Sequence, residues 1–249
     1  MKIKLISDLH VDCQADKGVG LLKDIPADDG HDLLIIAGDL CEVQNLDLFY
    51  DTWETLSLKF KKIMYVTGNH EYWGGNPWTV DQTIDEVLEE FNNVVRLKVG
   101  ESHLINGQRF IGGTMWFPDT GQKYEQKNFS DFMMIDNFRS YVFKENEKFV
   151  KMFEKHGVAQ RNDVVVTHHL PSHQLVDKMY KGFPDNQFFV CEMMEHIQRV
   201  QPVAWLYGHT HKQTNRIINR TWFVANPFGY PRESTNMFFD EKLVLEIIV

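Results

Sequence analysis

The sequence predicts an α/β fold in which two packed sheets are flanked by helices. Two observations lead to this prediction. Short apolar runs such as "DLLIIAG" before Asp39 and "DVVVT" before His168 have the length and composition of strands buried on both faces. Apolar residues recur at helical spacing between several of these runs, for example over residues 46–60. Strand and helix patterns that alternate in this way are typical of α/β proteins.

Five apolar runs are the predicted buried strands. In chain order they are "KIKLIS", "DLLIIAG", "KIMYVTG", "DVVVT" and "VAWLYG". Two hairpins are also predicted, one turning at Asn106-Gly107, a dipeptide that favours a two-residue turn, and one around Asn219 and Arg220. Each of the five runs stops at a cluster of polar residues. Since open α/β sheets bind ligands at the carboxyl ends of their strands, we expect the functional site at that edge.

Four helices are predicted from apolar residues spaced three and four positions apart. These positions lie within residues 46–60, 80–91, 149–153 and 193–197. We interpret the aromatic and methionine side chains on these faces as core packing.

Length and composition indicate one domain over residues 1–249. No apolar run approaches the roughly 20 residues of a membrane-spanning helix, and the apolar run near the N-terminus is too short for a signal peptide.

The three cysteines lack metal-binding spacing, which predicts reduced thiols in a cytoplasmic protein. A net charge of −9 counts against binding along a nucleic-acid backbone but allows a small phosphorylated ligand. The oligomeric state is not indicated.

The polar residues that follow the five predicted strands include seven typical metal ligands. They are Asp8 and His10 in "SDLH", Asp39 in "AGDL", Asn69 in "TGNHE", His168 in "VTHHLP", and His209 and His211 in "YGHTH". Residues at i and i+2 of an extended segment point to the same side of the backbone. One such pair is weak evidence for a metal site, but five strand ends of this kind predict that the side chains converge.

Seven ligands exceed the needs of one six-coordinate ion and fit two divalent transition-metal ions that share a carboxylate. Nitrogen and oxygen donors without thiolate suit Mn²⁺, Fe, Zn²⁺ or Ni²⁺, and the amide oxygen of Asn69 favours Mn²⁺ or Fe. Two ions about 3.5–4 Å apart are a common device for clamping a phosphoryl group and activating water. The sequence therefore predicts a dinuclear hydrolytic site, with Mn²⁺ favoured.

The motifs D-x-H, G-D, G-N-H-E, T-H-H and G-H-T-H resemble, in this order, those of the calcineurin-like metallophosphoesterase superfamily. They extend from residue 8 to residue 211, and "GNHEYW", "THHLPS" and "NPFGYPRE" are similar to segments of small single-domain bacterial and phage enzymes. The resemblance implies a four-layer α/β/β/α sandwich. It also implies a metal-dependent hydrolase that cleaves a phosphomonoester or phosphodiester bond of a small phosphorylated or nucleotide substrate.

The resemblance further implies two ion sites. One would be held by Asp8, His10 and His211, and the other by Asn69, His168 and His209. Asp39 would bridge the two ions, because each carboxylate oxygen can bind one. A hydroxide between the ions would attack phosphorus, and His70 would act on the leaving group as a general acid or hydrogen-bond donor.

A carboxylate is expected to orient His70. Glu42 stands where protein Ser/Thr phosphatases of the superfamily place an acid that orients the corresponding histidine, and Glu71 follows His70 directly. Either glutamate would fix the imidazole tautomer by pairing with it. The alternative is that both are exposed carboxylates.

Three residues are candidates for substrate contact. Arg139 ends the long, aromatic-rich segment 115–140 and is the favoured non-metal phosphate ligand, with a surface ion pair as the alternative. His169 either faces substrate or packs on the opposite side of its strand. Tyr72, followed by Trp73, is either a rim aromatic or part of the core.

Two other functions compete with the phosphoesterase. A metal-dependent nuclease is one, although the acidic charge counts against it. A catalytically inactive protein-binding scaffold with the same fold is the other, although every motif position is filled. The remaining histidines are interpreted as structural or surface residues: His31, His103, His156, His173 and His196.

Overall fold

Two mixed sheets lie at the centre of the computed structural model, which describes residues 1–155 and 158–247. In chain order, the strands in these residues are β1 (Lys2–Ile6), β2 (Leu33–Ala37), β3 (Ile63–Val66), β4 (Val94–Arg96), β5 (Ser102–Ile105), β6 (Gln108–Gly113), β7 (Val164–Thr167), β8 (Ala204–Tyr207), β9 (Thr214–Ile218), β10 (Thr221–Ala225) and β11 (Val244–Glu246). The α-helices are α1 (Val19–Asp24), α2 (Leu46–Lys59), α3 (Pro77–Leu88), α4 (Lys123–Asn128), α5 (Ser130–Met134), α6 (Phe138–Glu154) and α7 (Met194–Val200).

Both sheets are parallel at the centre and antiparallel at an edge. The first has the order β11-β1-β2-β3-β4, and only β11 pairs antiparallel with its neighbour among the described strands. The second has the order β5-β6-β7-β8-β10-β9, with β5 and β9 antiparallel at its two edges. The predicted α/β class with two sheets is confirmed.

Strand β2 shows why the fold has four layers. All five of its side chains are fully buried, as the continuous apolar run predicts. Ile35 packs into the apolar cluster between the sheets, whereas Leu34 and Ile36 belong to the cluster under the helices. Successive strand residues point to opposite faces, so one strand contributes to two layers of core.

The helices cover the outer faces of the two sheets. Phe49, Trp53 and Leu56 form the buried stripe of α2 on the first sheet. On the second sheet, Phe149 of α6 and Ile197 of α7 share an apolar cluster with the strands. The four predicted helices are present, although α3 ends before Phe91 and Met193 is the residue that precedes α7. None of the helices in the described chain is both long and apolar enough to cross a membrane.

Both predicted hairpins are present in the second sheet. Asn106 and Gly107 join β5 to β6, and Asn219 and Arg220 join β9 to β10. All four residues have positive φ, with Asn106 at 50° and Gly107 at 82°. Two consecutive positive φ angles define the tight turn that suits the twist of paired strands.

The buried position of Ile35 generates a stability prediction. Ile35→Ala removes side-chain atoms that are enclosed by both sheets, and should lower the free energy of unfolding by about 2–5 kcal/mol in urea denaturation. Ile217→Ala is the matched control, since Ile217 lies on edge strand β9 and is 74% exposed; it should cost less than about 1 kcal/mol. Equal losses for the two variants would contradict this assignment of the core.

Candidate metal centre

Loops after five parallel strands bring the seven predicted ligands together. The loops follow β1, β2, β3, β7 and β8, and all of them lie at the carboxyl-terminal edge of the two sheets. The side chains they place there are Asp8, His10, Asp39, Asn69, His168, His209 and His211. Six of the seven are buried and His211 is intermediate.

The backbone of these loops is unusual. Five of the seven residues have positive φ: Asp8 (55°), His10 (41°), Asp39 (55°), His209 (63°) and His211 (45°). A residue with a side chain rarely adopts this region, and such conformations persist where the surrounding structure enforces them, often at functional sites. Backbone hydrogen bonds enforce them here, for example from Asp8 N–H to Gly38 O at 2.9 Å and from His10 N–H to Asp39 O at 3.1 Å.

The ligand atoms form two groups that share Asp39. In the first group, His10 Nε2 lies 3.2 Å from His211 Nε2 and 3.6 Å from Asp39 Oδ2. His211 Nε2 lies 3.5 Å from Asp8 Oδ1.

The second group is centred on His168 Nε2. This atom lies 3.3 Å from Asp39 Oδ2, 3.1 Å from Asn69 Oδ1 and 3.1 Å from His209 Nδ1. Asp39 Oδ2 is therefore the point at which the two groups meet.

The spacing and chemistry of these atoms fit divalent ions. Donor atoms at about 2.0–2.1 Å from a common ion, and 90–110° apart, lie roughly 3.0–3.5 Å from one another. Five of the six measured separations fall in this range, and the sixth, between His10 Nε2 and Asp39 Oδ2, is 3.6 Å. His168 Nδ1 is occupied by Ala37 O at 2.8 Å, so the Nε2 lone pair of the neutral ring faces the acceptor oxygens of Asp39 and Asn69. Converging acceptors of this kind require a cation among them.

The pKa shifts of the cluster are consistent with a cation site. Burial lowers the pKa values of His10 and His209 well below the ordinary histidine value, which keeps their nitrogens available as ligands. Burial also opposes the charged form of His168, but the Asp39 carboxylate outweighs it and raises that pKa to about 10. Conversely, His168 and His70 outweigh burial at Asp39 and hold the pKa of its carboxyl well below the ordinary value. Asp39 therefore favours a positive charge beside it, which a bound cation would supply.

Side chains behind the ligands fix their orientation. Asn69 Nδ2 donates to Asp131 Oδ1 at 2.9 Å, which turns the amide oxygen towards His168. His211 Nδ1 lies 2.9 Å from Glu233 Oε2, which leaves Nε2 for the cluster. Sequence reasoning did not single out Asp131 or Glu233, and neither follows a predicted strand.

Close approach of backbone to ligand explains two of the motif glycines. A Cβ at Gly68 would lie 2.1 Å from Asp39 Oδ1, and one at Gly208 would lie 2.6 Å from Ala37 O. The loops can approach one another this closely only because these two positions carry no side chain.

His70 lies beside the two ligand groups and does not pair with either predicted glutamate. Its Nε2 is 2.6 Å from the hydroxyl of Tyr230, and its ring stacks on Trp73 at 3.7 Å between centroids. In the metal-free protein, burial lowers the pKa of His70 to about 4.

The two glutamates have other roles. Glu71 is fully buried and accepts the backbone N–H groups of Leu40 and Gly68, each at 2.7 Å, so it ties the β2 and β3 loops together. Burial raises its pKa to about 7. Glu42 is partly exposed, and the described residues show no hydrogen bond or ion pair between it and His70. Neither predicted glutamate is placed against His70 among the described contacts, and the hydroxyl of Tyr230 lies within hydrogen-bond distance of its ring instead.

The three candidate substrate contacts do not line the cavity at the cluster. Arg139 is exposed and lies over the ring of Phe132 at 5.6 Å. Tyr72 is buried and its hydroxyl donates to Asp81 at 2.8 Å, on the side away from the cluster. His169 is buried behind His209, with ring centroids 4.4 Å apart. His169 directly follows the ligand His168, and successive residues of an extended segment point to opposite sides.

A cavity of about 440 Å³ opens onto the ligand cluster. His70, Asp39, Asn69, His209 and His211 line its floor, together with Trp73 and Tyr230. Among the described side chains of segment 115–140, only Phe129, Ser130 and Asp131 line the cavity, while Trp116 and Phe117 are buried in the core. Four of the other histidines take no part in either ligand group: His31, His103, His173 and His196. His156 lies outside the described residues.

Comparison with known proteins agrees with this geometry. The family model described as calcineurin-like phosphoesterase matches residues 1–213. Uncharacterized protein L509 of Acanthamoeba polyphaga mimivirus is 26% identical over 94% of this chain and 93% of its own length.

Two solved structures share the fold. Phosphopantetheinyl hydrolase (PptH) from Mycobacterium tuberculosis has a TM-score of 0.75 and 19% identity, over 93% of this chain and 90% of its own. The protein TT1561 of Thermus thermophilus has a TM-score of 0.56 and 15% identity, over 91% of this chain and 88% of its own.

The contact between Asn69 and Asp131 generates a prediction about metal affinity. Asp131→Ala frees the amide of Asn69 to rotate, and should weaken binding of one Mn²⁺ ion by about 10–100-fold in a chelator-competition titration. Asp136→Ala is the matched control, because Asp136 belongs to the same segment but is exposed and lies outside the cavity. Wild-type affinity for every ion in Asp131→Ala would contradict the role given to this carboxylate.

Proposed function

Because the chain belongs to the calcineurin-like phosphoesterase family, we propose that it is a metal-dependent phosphoesterase that hydrolyses a phosphomonoester or phosphodiester of a small molecule. One observation carries the proposal. Two groups of ligand atoms share Asp39 Oδ2 at the floor of a cavity that His70 also lines. We further propose that residues 1–249 act as one catalytic domain, since both sheets supply ligands to this floor.

The cluster would hold two divalent ions. His10, His211 and Asp8 would bind the first, His168, His209 and Asn69 would bind the second, and Asp39 would contribute to both. Mn²⁺ is the favoured metal, and Fe, Zn²⁺ and Ni²⁺ also suit donors of nitrogen and oxygen. Two such ions supply Lewis-acid stabilisation of the charge that develops on the phosphoryl oxygens and make water a stronger nucleophile.

His70 is the proposed proton or hydrogen-bond donor to the departing alcohol oxygen. It lines the cavity next to the ligands, and Tyr230 and Trp73 hold its ring in place. Tyr230 also stacks on His10, with ring centroids 4.4 Å apart. A donor fixed on two sides loses little entropy when the transition state forms.

The proposed metal dependence is tested by stripping the protein of metal and restoring Mn²⁺, Fe²⁺, Zn²⁺, Ni²⁺ and Mg²⁺ singly. Hydrolysis of p-nitrophenyl phosphate or bis-p-nitrophenyl phosphate should return with a transition metal. Asp39→Asn should abolish it, because both ion sites lose a charged oxygen. His70→Ala should lower kcat by about 10²–10⁴-fold while binding the same number of ions.

His173→Ala is the control for the histidine variant, since His173 is exposed and lies outside the cavity. It should retain wild-type activity. Tight binding of two ions without turnover of either ester would point to a narrower substrate requirement. The absence of both metal binding and turnover would contradict the proposed function.

The hydrogen bond between Tyr230 and His70 generates a separate prediction. Tyr230→Phe keeps the ring that packs on His10 but removes the hydroxyl, so His70 loses one restraint. We expect kcat to fall about tenfold, with KM and the number of bound ions unchanged. Tyr50→Phe is the control, because the Tyr50 hydroxyl contacts Glu90 on the protein surface. A kcat equal to that of the wild type would contradict the proposed role of the Tyr230 hydroxyl in holding His70.

A further inference from the structure

The part of the cavity beyond the ligand cluster is the part that would contact the alcohol group of a phosphate ester. We infer that the site takes a phosphate ester whose alcohol arm is bulky and apolar and carries no further negative charge. This inference rests on the proposed phosphoesterase function. It concerns what lies beyond the phosphoryl group, where segment 170–189, Phe129 and Glu233 line the cavity.

Aromatic side chains form much of this outer part. Tyr180 and Phe183 are 48% and 57% exposed, although rings of this size are usually covered. Their centroids are 6.2 Å apart in an edge-to-face arrangement, and Phe189 stacks on the ligand His209 at 4.4 Å. Aromatic rings therefore line the cavity both near the surface and beside the ligand His209, and exposed apolar surface next to a cavity is typical of a ligand site.

Carboxylates are the charged groups of the same region. Asp177, Asp185 and Glu233 line the cavity, and no lysine or arginine lines it among the residues that the structure describes. Asp177 accepts the N–H of Met179 at 3.0 Å. Glu233 accepts from the His211 ring. Asp185 forms no ion pair with any described residue, so its charge is not offset locally.

Charge balance decides which esters suit this arrangement. Two divalent ions would carry four positive charges, and Asp8 and Asp39 offset two of them. The remaining positive charge suffices for one phosphate group and no more, since Asp131 and Glu233, which contact the ligands Asn69 and His211, are further acids at this cavity. A second phosphate, or a carboxylate on the alcohol arm, would instead lie near the three outer carboxylates without a cation to balance it. Nucleoside polyphosphates and polynucleotides are disfavoured for this reason, whereas neutral or cationic arms are accepted.

The inference is tested by calorimetric binding of four phosphonates, which are not hydrolysed, to the full-length Mn²⁺-loaded protein. They are methylphosphonate, benzylphosphonate, 4-carboxybenzylphosphonate and 4-(aminomethyl)benzylphosphonate. Benzylphosphonate should bind at least about tenfold more tightly than methylphosphonate, because its ring contacts the aromatic wall. The carboxyl derivative should bind at least about tenfold more weakly than benzylphosphonate, and the aminomethyl derivative should bind no more weakly.

Two variants and one control locate the effect in the cavity. Phe183→Ala should reduce the preference for benzylphosphonate over methylphosphonate by about 3–10-fold. Phe238→Ala, the matched control, removes a ring that is 52% exposed but lies outside the cavity, and should leave the preference unchanged. Asp185→Asn should reduce the discrimination against the carboxyl derivative by about threefold or more, since one of the three outer charges is removed.

The outcomes separate this inference from the proposed function. Equal binding of methyl- and benzylphosphonate, or of benzylphosphonate and its carboxyl derivative, would overturn the inference while leaving a working phosphoesterase. If no phosphonate binds to the metal-loaded protein and no ester is hydrolysed with any metal, the proposed function itself fails.

Discussion

The carboxylate of Asp39 is the interaction on which the rest of the site depends. Its Oδ2 lies in both groups of ligand atoms, and its Oδ1 accepts the backbone N–H of His70 at 2.9 Å. Its own backbone has a φ of 55° and is held by the buried Glu71, which accepts the next N–H along the chain. One residue at the end of β2 thus sets the spacing of the two ligand groups and the position of the proposed proton donor.

The ligand cluster was predictable because each ligand lies within a few residues of a buried parallel strand. An apolar run identifies such a strand, and the sheet then brings the strand ends to one edge. Asp131, Glu233 and Tyr230 could not be found in the same way. They lie in a short helix and in irregular segments whose positions depend on the packing of the whole chain. Arg139 shows the converse, since its guanidinium chemistry suits phosphate but its helix places it on the surface, which was the alternative.

The stretch from His70 to Tyr72 shows why neighbours in sequence do not share a role. It forms a single turn of 3₁₀ helix, in which successive side chains point about 120° apart. His70 therefore faces the cavity, Glu71 faces the backbone of the β2 loop, and Tyr72 enters a separate hydrogen-bonded network with Asp81. The proposed proton donation by His70, the loop positioning by Glu71 and the core packing of Tyr72 thus depend on this geometry.

A cluster of this kind costs stability until a cation binds. Buried carboxylates and imidazoles lose hydration, and five ligands hold a left-handed backbone that the free chain avoids. A metal that binds only the folded state stabilises that state by mass action and so offsets this cost. When the metal is removed, the folded state loses this stabilisation. The apolar strands under the cluster must therefore hold the loops in place while the ions are absent. The continuous burial of β2, β3, β7 and β8 on both faces provides that support, since all of their side chains are buried. The same strands that make the fold recognisable in the sequence are thus the ones that allow a strained, charged site to exist at their ends.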